Sequence, residues 1–153
     1  MKESAFSVYL IRMICAKGIL AYKVADRYQS GVPDIYITGG NWIECKKAGI
    51  KKTFNWHGAH TQEQINFVSN LRRCGDNVLA ASVWTIHNRI YFMILPWEVI
   101  SHKPIWERAD VKEWGFPYSK VNNWMEMFNP TCSRNFDDGW TTLTREQWSE
   151  RPN

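Results

Sequence analysis

Two β-rich runs, Asp34 to Thr38 and Trp42 to Lys46, meet across Gly39-Gly40-Asn41. Paired glycines followed by asparagine supply the positive-φ residues a tight hairpin needs, so the spacing predicts two antiparallel strands. Side chains alternate along a strand. Glu44 and Lys46 therefore share one face, and Ile43 and Cys45 take the other. A carboxylate and an amine placed between apolar neighbours are costly to bury unless they are paired or ligated. The hairpin thus constrains both the fold and the place where chemistry can occur.

Helical periodicity surrounds it. Phe6, Leu10, Met13 and Ile14 recur at helix spacing between Glu3 and Lys17, with Gly18 as a stop. Ile19 to Val24 reads as a short strand, Ala25 to Val32 as a loop, and the basic, aromatic stretch from Gly49 to His60 as irregular. Thr61-Gln62-Glu63-Gln64 has the form of a capping box. It opens a helix whose apolar stripe is Ile65, Val68 and Leu71 and which Gly75 ends. Asn77 to Ile86 and Ile90 to Leu95 are β-rich around a His87-Asn88-Arg89 turn.

The predicted order is α-β-β-β-α-β-β, an α/β or α+β sandwich with helices covering a small mixed sheet. Beyond Trp97 no period is legible, and Pro96, Pro104 and Pro117 break the chain. With 153 residues, one domain is expected. It divides into a core over 1–96 and a Trp-rich extension over 97–153 packed on the same domain.

Composition narrows the class. At 44% hydrophobic and 22% charged the chain is globular. No apolar run is long enough to span a bilayer, and the interrupted N-terminal stretch lacks a signal-type cleavage site. A soluble cytoplasmic protein with no membrane partner is expected. Cys15, Cys45, Cys74 and Cys132 form no CxxC pair and read as reduced, mostly buried thiols. The net charge of +4 is uneven: residues 1–52 carry nine Lys/Arg against four Asp/Glu. A basic third points to a polyanion, or equally to a solvated basic face. Of nine Trp, six (Trp97, Trp106, Trp114, Trp124, Trp140 and Trp148) crowd the stretch from residue 97 on. Core packing is the favoured role there, with base stacking and dimer contact left open.

If the hairpin brings Asp34 beside Glu44, two carboxylates meet at one end of the sheet. That is a donor set for a hard cation such as Mg²⁺, completed by water and substrate phosphate. Lys46 then lies where it can orient or help deprotonate a water, or stabilise charge on the phosphorane. Glu3, on the stripe of Phe6 and Leu10, can add a further contact; an acid favouring a helix N-terminus accounts for it equally well. Gln64 is already explained by its capping-box position. A hairpin with solvent-facing acids and lysines is the plain alternative. Lys46, Lys47, Lys51 and Lys52 make a basic cluster beside the proposed site, suited to a phosphate backbone or simply solvated. His57 and His60 have HxxH spacing without a third zinc ligand, which leaves them as phosphate contacts or as residues without a functional role.

Gly31-Val32-Pro33-Asp34 followed by Ile43-Glu44-Cys45-Lys46 resembles the PD-(D/E)xK nuclease signature. With Glu3 and Thr61-Gln62-Glu63-Gln64, it is similar more narrowly to the virus-type replication-repair nucleases (VRR-NUC), a Holliday-junction-resolvase-like branch. The likeness covers about residues 1–86. It implies a restriction-endonuclease-like αβββαβ core and metal-dependent cleavage of DNA phosphodiesters. Asp34, Glu44, the backbone carbonyl of Cys45 and Glu3 would hold Mg²⁺, with Mn²⁺ as a substitute. Lys46 would serve the attacking water and Gln64 would contact the site from the second helix. Lys47, Lys51, Lys52, His57 and His60 would lie along the DNA. The resemblance also implies branched or structured DNA as partner, a homodimer, and a bacterial or phage-infected cell. This chain departs from the family pattern between Lys46 and Gln64, where Lys51 to His60 replaces a short glycine-containing turn.

The sequence therefore predicts a divalent-metal-dependent DNA endonuclease. The competing reading is a non-catalytic nucleic-acid-binding module that keeps the same scaffold.

Overall fold

A computed structural model describes residues 1–16, 18–25 and 30–117, apart from the side chains of Trp114 and Phe116. Helix α1 (Glu3–Ala16) leads into β1 (Ala21–Lys23), β2 (Ile35–Ile37) and β3 (Asn41–Gly49). Next come β4 (Thr53–Asn55), the short α2 (Trp56–Ala59), α3 (Gln62–Arg73), β5 (Asn77–Ile86) and β6 (Arg89–Pro96). The described chain closes with α4 (Trp97–His102), β7 (Ile105–Glu107), α5 (Arg108–Trp114) and β8 (Phe116–Pro117).

Six strands form one mixed sheet in the order β1-β2-β3-β5-β6-β8, and β4 pairs with β7 in a separate two-stranded ribbon. β3 and β5 run parallel while every other pairing is antiparallel. A parallel pair needs a crossover, and α3 provides it. The α1-β1-β2-β3-α3-β5 order is the αβββαβ succession predicted from sequence, with β4 and α2 interpolated before α3. The fold is α/β: a mixed sheet flanked by helices.

Helix α1 covers one face. Phe6, Leu10 and Ile14 are fully buried against Ile35, Ile37, Ile43 and Cys45. Phe6 also stacks on Phe92, with ring centroids 4.8 Å apart. Helices α3, α4 and α5 and the β4–β7 ribbon cover the other face, where Val68, Trp84, Trp97, Ile100, Trp106 and Val111 are packed. β5, the central strand, is buried almost throughout, because both of its faces are covered.

The hairpin forms as predicted. Gly39 and Gly40 hold φ of +100° and +80°, and Ile37 faces Asn41 across the turn. The second turn places His87 and Asn88 at φ of 49° and 62°, the left-handed pair a two-residue hairpin demands.

Three expectations need correction. The stretch from Gly49 to His60 is ordered: Phe54 and Trp56 are buried, β4 pairs with β7, and Asn55 Oδ1 caps α2 by accepting from the His57 and Gly58 amides. The chain beyond Trp97 is regular as far as Pro117, in elements too short to show a period. The free thiols are not mostly buried: Cys45 is, but Cys15 and Cys74 are exposed. Cys132, Trp124, Trp140 and Trp148 lie outside the described residues. Among those described, no helix is long and apolar enough to cross a membrane.

Candidate active site

Asp34 is placed by the hairpin register. Ile35 pairs with Ile43 and Tyr36 with Trp42, so Asp34, one step further, stands opposite Glu44. Its backbone carbonyl accepts from the Val24 amide at 2.9 Å, which extends the β1–β2 ladder through it. Its side chain crosses to the neighbouring strand, where Oδ2 accepts from the Cys45 amide at 2.8 Å.

Glu44 and Lys46 share the α3 face of β3, as alternation requires, while Ile43 and Cys45 pack under α1. Glu44 is only 1% exposed. Burial, then the nearby Asp34 charge, raise its pKa from the ordinary 4.5 to about 9, with Lys46 pulling the other way. Lys46 Nζ lies 3.7 Å from Glu44 Oε1. The Cys45 thiol is buried and pushed well above its ordinary range, chiefly by desolvation, so it is no nucleophile.

Gln64 joins the helix to this pair. Its Oε1 accepts from the Thr61 amide at 2.9 Å, and its backbone amide donates to Thr61 Oγ1 at 3.2 Å, completing the capping box. The same Oε1 accepts from Lys46 Nζ at 3.4 Å, and Nε2 donates to Glu44 Oε1 at 3.3 Å. Capping and site contact are therefore one side chain's work. The ordered β4–α2 segment delivers Thr61 to this position despite its added length.

Gly31 is a further determinant, one whose role its neighbours in the chain do not reveal. Its φ is +86°, and a Cβ there would lie 2.5 Å from the Glu63 carbonyl carbon and 2.8 Å from the Gln64 amide nitrogen. Only glycine lets the Gly31–Asp34 segment approach the first turn of α3 this closely. The signal was present as a glycine just ahead of Pro33-Asp34, but its partner lies more than 30 residues away in the chain.

The other predicted residues are distributed less tightly. Glu3 is exposed at the start of α1; it acts on Glu44 and Cys45 only through its charge and touches neither. Cys45 presents its N–H to Asp34. Lys47 is exposed and, by alternation, belongs to the face opposite Lys46. Lys51 and Lys52 are exposed in the turn before β4. That turn is held by Arg108, whose guanidinium donates to the Ile50 and Lys51 carbonyls. His57 is exposed, whereas His60 departs from a surface role: it is 7% exposed, with Nδ1 2.7 Å from the Trp56 carbonyl. Desolvation lowers its pKa to about 4, so it stays neutral at physiological pH.

The donors present suit a hard divalent cation. Two carboxylates face each other, and Glu44 Oε2 is buried without a hydrogen-bond partner. Burial and the facing Asp34 charge also hold a proton on Glu44 despite the nearby Lys46. An oxygen-seeking dication answers all three. Among the described residues no three His, Cys, Asp or Glu side chains converge on one point. Remaining donors would come from backbone, water and substrate.

No family model matches the chain, and no curated protein does. Among solved structures it is similar to Hjc, a Holliday junction resolvase from the archaeal hyperthermophile Archaeoglobus fulgidus. The match has 16% identity and a TM-score of 0.49, over 80% of this chain and 96% of that one.

Proposed function

We propose that this chain is a restriction-endonuclease-like deoxyribonuclease of the virus-type replication-repair branch, hydrolysing phosphodiesters in branched or structured DNA. The observation that carries the reading is the facing pair Asp34 and Glu44, the latter buried with one unpartnered oxygen, beside Lys46 on the same sheet face. A binding module has no use for a buried carboxylate next to a second one, since that pair costs stability in the absence of a ligand.

Asp34, Glu44 and the Cys45 carbonyl would hold Mg²⁺, or Mn²⁺ in its place, with Glu3 adding negative charge from α1. The bound ion supplies Lewis acidity toward the phosphodiester and a lowered pKa for water. With the ion held there Glu44 would be ionised, its proton released to solvent. Lys46, oriented by Gln64 Oε1, positions the attacking water and offsets charge accumulating on the phosphorane. Gln64 holds Glu44 and Lys46 in register by donating to one and accepting from the other. Lys51, Lys52 and His57 follow the DNA backbone, and Lys47 adds positive charge from the other face of β3. Residues 1–96 form the catalytic core, 97–117 extend the same domain among the described residues, and two copies pair for a symmetric junction.

Wild type and Glu44→Ala, incubated with labelled four-way junction, flap, duplex and single-stranded DNA in Mg²⁺, Mn²⁺ or EDTA, test the reading. Metal-dependent cutting by wild type alone supports it. Tight binding without cutting in either metal would replace it with the non-catalytic module.

A further inference from the structure

The turn that carries Lys51 and Lys52 joins β3 to β4, and burial does little to hold it. Ile50 is 75% exposed, and both lysines are exposed. The β4–β7 ribbon stops short of the turn, with Thr53 facing Glu107 as its last pair on that side. Within the turn, the Lys51 amide donates to the Ala48 carbonyl at 3.4 Å. The tie to the rest of the fold is Arg108, the residue after Glu107. Its Nε donates to the Lys51 carbonyl at 3.3 Å, and its Nη2 donates to the Ile50 carbonyl.

Arg108 is itself held on a firm base. It opens α5, between Trp106, which is 3% exposed, and the fully buried Val111. Lys103 Nζ closes the same corner, 3.0 Å from Asp110 and 4.7 Å from the Trp106 ring centroid. A planar fork that reaches two successive carbonyls fixes their orientation as a single ammonium cannot. Those carbonyls carry no net charge, so the guanidinium remains a full cation. Residues 50–55 and 105–108 together hold Lys51, Lys52 and Arg108 against one acid, Glu107. Among the described residues none of the three cations forms an ion pair. Lys51 Nζ lies 5.8 Å from the Phe54 ring centroid instead. Like charges held together repel, and a polyanion relieves that repulsion.

The turn also lies in line with the candidate active site. Lys46 and Gly49 are three residues apart on β3, roughly 10 Å at strand rise. That span matches about three phosphates of one duplex strand, at roughly 3.4 Å of axis each.

We propose that Arg108 is a positioning residue for DNA, presetting Lys51 and Lys52 as a clamp on the phosphate backbone a few nucleotides from the scissile bond. This rests on the nuclease reading and names the part of the chain beyond Trp97 that serves it. Because the turn is fixed beforehand, its backbone loses no further freedom when the lysines meet phosphate.

The test measures affinity of the full-length protein for a labelled four-way junction. Fluorescence anisotropy is read in Ca²⁺ over roughly 50 to 200 mM NaCl, below every variant's melting transition. Each phosphate contact adds about 0.9 to the slope of log affinity against log salt. Lys51→Gln combined with Lys52→Gln should lower that slope by about two. Arg108→Gln should also lower it by about two, more than one lost cation explains, and should add nothing once both lysines are gone. Arg108→Lys keeps the charge and loses the fork, so it should resemble Arg108→Gln. A fall of about one that persists without the lysines makes Arg108 a phosphate contact and overturns the positioning role. Full recovery by Arg108→Lys overturns it as well. A lowered Tm with an unchanged slope does the same, leaving Arg108 to stability alone. In each of those cases, cutting by wild type in Mg²⁺ keeps the nuclease reading. A wild type that neither binds nor cuts any DNA removes both.

Discussion

Glu44, Cys45 and His60 are the side chains whose titration departs far from the ordinary, and burial is the leading cause for all three. It acts in opposite directions because it disfavours whichever form is charged. For His60 the folded pKa lies below its ordinary 6.5, so its contribution to stability is present above that pH and is lost as pH falls toward about 4. Its neighbours on the site side differ in role. Asp34 contributes negative charge and accepts from a backbone amide, so Asp34→Asn should cut turnover by a factor of a hundred or more while DNA affinity holds or rises. Single-turnover cleavage and anisotropy on one junction read the two quantities separately. Lys46→Ala should slow the chemical step more than it weakens binding, by roughly 10²-fold if it serves the attacking water. Equal losses in both would make it a phosphate contact instead.

Among the elements, the meeting of the Gly31–Asp34 segment with the first turn of α3 governs the site. Gly31→Ala must displace either backbone, because its Cβ would meet backbone atoms at 2.5 Å. It should destabilise by about 2–4 kcal/mol, the combined scale of a strained positive φ and a clash. Activity should fall beyond what the fraction unfolded explains, since Gln64 shifts relative to Glu44. Urea titration alongside kcat separates the two effects. The β5–β6 hairpin offers a change of opposite sign. His87 and Asn88 both sit at positive φ, where Asn-Gly is the preferred pair. His87→Asn with Asn88→Gly should stabilise by about 1 kcal/mol, seen as a rise in Tm of roughly 2–4 °C. An unchanged or lowered Tm would mean that the existing side chains contribute to the turn.

At the scale of the whole molecule, the buried carboxyl couples stability to pH and to metal. Glu44 titrates at about 9 in the fold and near 4.5 when unfolded, so the native state binds the extra proton between those values. Metal-free protein should therefore lose stability as pH rises from about 4.5 to 9. A cation binding the ionised pair displaces that proton, and Mg²⁺ should raise Tm more at pH 8.5 than at pH 6. In Glu44→Gln both the slope and the metal response should largely vanish. Thermal melts in EDTA and in Mg²⁺ across that pH range decide it; a metal response that survives in Glu44→Gln would place the ion elsewhere.

What the sequence determined by itself is what neighbouring residues decide among themselves. The hairpin at Gly39-Gly40, the α1 stripe through Phe6, Leu10 and Ile14, the Thr61–Gln64 cap and the separation of Glu44 and Lys46 from Ile43 and Cys45 follow from periodicity and turn chemistry over a few positions. The β4–β7 ribbon was not legible in that way, because each strand has three residues and the partners are about 50 positions apart. The elements beyond Trp97 were hidden for the same reason. Only the tertiary structure decided that Gln64 spans from its own cap to Glu44 and Lys46, that Gly31 must lack a side chain, and that His60 turns inward on Trp56. These depend on segments distant in sequence arriving at one place with fixed orientation. The perturbed pKa values follow from that arrival, since desolvation is a property of the assembled core and of no local stretch of chain.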